Sequence, residues 1–223
     1  MNTRSIWASL VLCSALPVTA CSENDAADTL GVADGMYALD VPDTYWSDPP
    51  GIGADIGVFV PRFLFDVSGK EVTLGTAKEG VQDPCTPTAV APANKKEQVV
   101  VGPIDYQMHL VNETNHAHVN TTIRNLTFAD VLPPVGDEGG TLTAVLDARE
   151  ISPIFHLLPD PKPEDVCAAL DDFGAACEPC PQDNQPFCLT IAADRLEAVP
   201  APEMTMGPVD KASLGAECAS AVP

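Results

Sequence analysis

The chain of 223 residues holds four histidines, and three of them fall close together: His109, then His116-Ala117-His118. Side chains two apart on a strand share a face, so His116 and His118 would reach one ion together. Imidazole nitrogen suits zinc or copper. His109 lies across a turn from them and supplies a third ligand if the strand register allows. Asn115 and Asn120 flank the motif and favour a plainer reading, a hydrated strand face. Neither a metal ligand nor a cofactor is assigned on this pattern.

Asp147-Ala148-Arg149-Glu150, with His156 close by, offers acids, a base and an orienting group. That is the equipment of an acid–base hydrolase. On a strand Asp147 and Arg149 would share a face while Glu150 points away. An exposed ion pair accounts for the pattern without catalysis, and no catalytic residue is assigned. Cys177-Glu178-Pro179-Cys180 resembles the Cys-x-Pro-Cys motif of thioredoxin-type oxidoreductases, in which a helix N-terminus stabilises the first thiolate. Here Pro181 and Pro186 prevent such a helix, so the residues read as a stapled loop before a strand. Gly51-Ile52-Gly53-Ala54-Asp55-Ile56-Gly57 has its third glycine one place late for a dinucleotide loop and follows Pro49-Pro50, which makes it a turn. Hydrolase elbow, zinc-protease, phosphate-loop and EF-hand patterns are absent from the sequence.

The elements that must position these residues are mostly strands. Gly35 to Val41 is a short first strand, and Asp48-Pro49-Pro50-Gly51 a turn. Ile56 to Val67, interrupted by Pro61, predicts an edge or bent strand. Ser68-Gly69-Lys70 then turns the chain into Glu71 to Leu74. Residues 76 to 97 read as a long loop. Gln98 to Val111 and His116 to Val131 are the longest strand candidates, joined by a hairpin turn at Asn112 to Asn115. Thr141 to Asp147 and Phe187 to Ile191 complete the strands. Pro163 to Leu170 is the one good helix, with Pro in its first turn and acids near the N-terminal dipole. Turns and hairpins without alternating βαβ units predict a mainly β fold: an antiparallel sandwich or open barrel with one short helix and a disulfide-stapled C-terminal region. An α+β layered sheet is the alternative.

The first residues supply an address. Arg4 precedes the mostly apolar run Ile6 to Leu16, which is too short to span a bilayer but has the length of a signal-peptide h-region. Val18-Thr19-Ala20-Cys21 then resembles the lipobox of bacterial lipoproteins. The resemblance implies cleavage before Cys21 and acylation of that cysteine, which would attach the chain to the membrane; two or more acyl chains are needed because one anchors only marginally. Ser22 follows where an Asp would imply inner-membrane retention, so the resemblance implies outer-membrane sorting. The predicted organisation is a signal peptide over 1–20, an acylated Cys and flexible tether over 21–34, a β-rich domain over 35–199 and a Pro/Ala-rich tail over 200–223. Six cysteines remain in an exported domain: Cys85, Cys167, Cys177, Cys180, Cys188 and Cys218. They read as three disulfides. The four between 167 and 188 pair mostly among themselves, which leaves Cys85 and Cys218 for a long-range bridge.

The net charge is -21, from 32 acidic and 11 basic residues. Removal of residues 1–20 takes Arg4 and no acid, leaving 32 acids against 10 bases, or -22. So acidic a chain lacks the basic face that nucleic acid requires. It also cannot adhere to anionic lipid by charge. Scattered acids form a hydrated coat, and Gly136-Asp137-Glu138 and Asp160 to Asp165 lack the ligand spacing of a calcium loop. The expected role is a non-enzymatic, lipid-anchored envelope protein that binds an envelope partner or an apolar ligand. The alternatives are an exported hydrolase-type enzyme and a weak metal binder through His116 and His118.

Overall fold

Thirteen- and fourteen-residue strands form the centre of the molecule. The structure, a computed structural model, describes residues 30–41, 45–48, 60–95, 98–112, 117–154, 162–172 and 174–220. Cys21, His116 and His156 lie outside the described residues, as do the proposed leader and turn positions 49–51 and 113–115.

The chain forms two antiparallel sheets. The first contains β1 (Gly35–Leu39), β3 (Arg62–Ser68), β4 (Glu71–Lys78), β5 (Val81–Gln82), β6 (Ala89–Ala91) and β12 (Val199–Pro200). Its order is β12-β1-β3-β4-β5, with β6 also on β4. The second runs β2-β11-β10-β9-β8-β7. Its members are β2 (Trp46–Asp48), β7 (Ala93–Lys95), β8 (Val99–Asn112), β9 (Ala117–Ala129), β10 (Gly140–Asp147) and β11 (Cys188–Leu196). Residues 76–97, expected as a loop, therefore hold the end of β4 and three short strands. Strands of two or three residues are too brief to show periodicity in sequence. Pro92 joins β6 to β7, so the chain changes sheets there, and the Pro92 carbonyl accepts the Gly102 amide at 2.7 Å.

Alternation decides the core. Tyr106, Met108 and Leu110 of β8 and Ala117, Val119 and Ile123 of β9 are buried on one face, as a period of two requires. They face Phe63, Phe65, Val72 and Leu74 of the first sheet in one continuous core. Phe128 meets both Phe63 and Phe65 edge to face, with ring centroids 5.1 and 5.0 Å apart, the arrangement that suits the ring quadrupole. This is a sandwich of two sheets.

Two short helices follow β10 where one was expected. Asp147 ends the strand and caps α1 (Ala148–Ile151) by accepting the Arg149 amide at 3.0 Å. A side-chain oxygen at this position satisfies an otherwise unpaired amide of the first turn. The expected helix is α2 (Pro163–Asp172), with Glu164 and Asp165 in its first turn and Val166 and Leu170 buried one turn apart. Cys167 is bonded to Cys177, Cys180 to Cys188, and Cys85 to Cys218.

The segment from 201 to 220 contains only two short 3-10 turns, yet it packs closely on the sheets. Ala201 and Met204 join Ala38, Leu64 and Ala77 in a second, smaller core, with Met206 against it. A Cβ at Gly75 would run into the Met206 sulfur, so a glycine leaves room for that side chain. Gln82 exchanges two hydrogen bonds of 2.7 Å with the backbone of Gly207, and Thr88 exchanges two of 3.0 Å with Val209. The segment thereby crosses the outer face of the first sheet and returns to β8 and β9.

Candidate functional site

β8 and β9 pair with His109 opposite Asn120 and Val111 opposite His118. His109 and His118 are therefore diagonal neighbours on the face turned away from the sandwich core, within reach of long side chains. His118 Nδ1 lies 3.4 Å from His109 Nε2, and the ring centroids are 5.5 Å apart. His109 is nonetheless only 7% exposed. What covers it is the loop from Asp83 to Thr86 and the chain around Cys218, joined by the Cys85–Cys218 disulfide.

Each part of this arrangement is fixed by another. Asp83 accepts the Cys85 amide at 2.8 Å and the Thr86 hydroxyl at 3.0 Å. Thr86 Oγ1 in turn accepts the His109 amide at 3.2 Å. This satisfies a donor on β8 beyond the end of β7, where a buried amide left unpaired would be costly. On the other side, Asn120 Nδ2 donates to the Cys218 carbonyl at 2.9 Å, and the Asn120 amide donates to Ser220 Oγ at 3.0 Å. With its amino group so committed, Asn120 turns Oδ1 towards His109 Nδ1, 3.1 Å away. An oxygen there requires Nδ1 to carry the proton. In the neutral ring Nε2 then bears a lone pair, and it points at His118.

The two imidazoles open onto a cleft of about 520 Å³. Val60, Pro61, Ala77 and Val111 supply apolar wall, and Glu79, Asp83 and Glu217 supply carboxylates. Lys78 also lines it, so charged and imidazole groups share the cleft with its apolar wall, and a concavity of this size with both is a form a small-ligand site takes.

The other candidates carry structural duties. Asp147 and Arg149 do pair, but across the start of α1 and not on a strand face. Arg149 reaches both Asp147 and Asp183 at 2.6 Å and lies 5.4 Å over the Phe187 ring. Hydrogen bonds to Asp147 and then Asp183 push the guanidinium above its ordinary range. The same contact with Arg149 holds the Asp183 carboxyl below the usual carboxylate value, helped by the Gln185 amide. Glu150 turns to β9, where it accepts from the Thr121 hydroxyl, the Thr122 amide and Arg124 at 3.1, 2.6 and 2.7 Å. Cys177 and Cys180 belong to different disulfides, so no redox pair forms between them. Asp137 and Glu138 line a second, more polar hollow with Asp194, Arg195 and Glu197.

Sequence reasoning placed His109 near the motif but not against His118, because the distance depends on register. Asp83, Thr86 and Glu217 were missed. Their signal was their closeness to Cys85 and Cys218. Set against known protein families, curated proteins and solved structures, the chain finds no match in any of the three.

Proposed function

We propose that the protein is an exported, lipid-anchored envelope lipoprotein, held at the outer membrane by acyl chains on Cys21, whose β-sandwich acts as a non-enzymatic binding module. The cleft beside His109 and His118 is its binding site. The observation that carries this reading is the position of the Cys85–Cys218 disulfide, which ties together the two segments covering His109. A site built on a disulfide is suited to an oxidising compartment. Its apolar wall at Val60, Pro61 and Val111 favours an apolar ligand or the apolar part of an envelope partner. The hydrolase reading is weaker, since Asp147 and Glu150 are already engaged in a helix cap and in holding β9.

The reading is tested by native mass spectrometry of the chain extracted from bacterial membranes in mild detergent. The expected species begins at an acylated Cys21 and carries a bound mass that Pro61→Arg, which narrows the cleft, removes. An unmodified Cys21 overturns the anchor. A chain with no adduct, or one that keeps it in Pro61→Arg, overturns the cleft.

A further inference from the structure

We infer that His109 and His118 together hold a borderline divalent transition-metal ion of the zinc–copper class, bound through His109 Nε2 and His118 Nδ1. The inference rests on the reading of the cleft as a binding site and specifies its ligand. The separation of the two nitrogens carries it. At 3.4 Å they stand at the long limit of a hydrogen bond between two ring nitrogens. Two imidazole nitrogens at about 2.0–2.1 Å from a tetrahedral ion stand about 3.3–3.4 Å apart. The pair is therefore spaced as a chelate before any ion arrives.

The surroundings agree. A metal-ligating histidine commonly donates its second ring N–H to an oxygen that fixes its orientation. His109 does so through Nδ1 to Asn120 Oδ1, and Asn120 is itself anchored on the Cys218 carbonyl. The lone pair of His109 thus faces the gap without any rearrangement of the ring. Remaining coordination positions open to the cleft, where solvent water can fill them and which the exposed Glu217 also lines. Two nitrogens with oxygen donors select zinc or copper over magnesium or calcium, which prefer all-oxygen shells. His109 and His118 make a two-residue chelate; the one grouping of three ligand-type side chains among the described residues is Asp147, Cys180 and Cys188. Its two sulfurs are bonded to each other, so it is no rival.

The test uses the mature chain with its disulfides formed. Zinc chloride is titrated by calorimetry in excess calcium, which occupies exposed carboxylates and leaves imidazoles alone. One equivalent of copper(II) is added separately for paramagnetic resonance. One site per chain is expected, with nitrogen splitting in the copper spectrum. His118→Ala, at a half-buried position, should weaken zinc by at least about a hundredfold and remove the splitting. Asn120→Ala, which releases His109, should weaken it by about tenfold. If either variant fails to fold by circular dichroism, zinc-induced shifts of the His109 and His118 ring nitrogens in the wild-type NMR spectrum decide instead. Zinc binding that is unchanged in His118→Ala, that calcium abolishes, or that moves neither ring overturns the inference. A wild type that ignores zinc but loses its adduct in Pro61→Arg overturns the metal and leaves the cleft. A zinc site beside an adduct that Pro61→Arg does not disturb overturns the apolar cleft alone.

Discussion

Tyr106 illustrates how little a buried polar atom contributes when it lacks a partner. Its ring is 1% exposed in the middle of the core, and its hydroxyl has no hydrogen-bond partner among the described residues. Burial, with the charge of Asp83 adding to it, raises the phenol above its ordinary value of 10.0. Tyr106→Phe removes a desolvated hydroxyl and keeps the ring, so chemical denaturation should show unchanged or improved stability, by up to about 1 kcal/mol. The sign of the pH effect follows from the raised value. The contribution of the protonated phenol is complete below about pH 10 and is lost as pH climbs towards the folded-state value, because the unfolded chain ionises first. The wild type should therefore lose stability in alkali more steeply than Tyr106→Phe. Asp183 gives the opposite case. Its carboxyl is lowered by Arg149, so its contribution holds above the ordinary aspartate range and fades as pH falls through the lowered value. Carbon-13 NMR should find its midpoint below that range in the wild type and moved up towards it in Arg149→Gln.

Among the elements, the β8–β9 hairpin was the most legible in sequence and the connection from β4 to β8 the least. Alternation over Tyr106 to Leu110 and Ala117 to Ile123 is long enough to declare both strands and their buried faces. Ala89 to Lys95, by contrast, spans two strands of three residues that bridge the sheets, and nothing periodic survives at that length. Asp147 is the last residue of β10, as expected, but Arg149 lies in the helix that follows and not beside it on a strand face, because the point where a strand gives way to a short helix leaves no periodic signal. The proximity of His109 and His118 was likewise out of reach, since it depends on a register set by the whole hairpin. Gly102 is the sensitive point in β8. Its φ is +105° and a Cβ there would strike the Leu126 carbonyl oxygen, beside the register shift between Val101 and Ile104. Gly102→Ala meets both backbone strain and a steric clash, and should cost about 2–3 kcal/mol in denaturant unfolding.

For the whole molecule, the bridge between Cys85 and Cys218 matters most. It closes 133 residues of sequence, and cross-linking over such a span restricts the unfolded chain strongly. Replacing both cysteines by serine should lower stability by about 3–5 kcal/mol, read as a lower denaturant midpoint. Limited proteolysis should then cut first between 207 and 220, where the segment is held by Gln82, Thr88, Asn120 and the bridge. The same variant should weaken zinc, because Asn120 loses the Cys218 carbonyl that orients it.

The second sheet carries one more consequence, in how the protein behaves among its own copies. Its longest strands sit inside the order β2-β11-β10-β9-β8-β7, and the strands at both rims, β2 and β7, have three residues each. Unsatisfied strand edges are templates on which another chain can add by backbone pairing. Among the described residues the rims are this short and offer little to copy, and where β8 outruns β7 the amide of His109 is already taken by Thr86. Molecules crowded side by side would meet as hydrated, acid-coated surfaces that repel, and strand-by-strand growth into fibrils would find few places to begin.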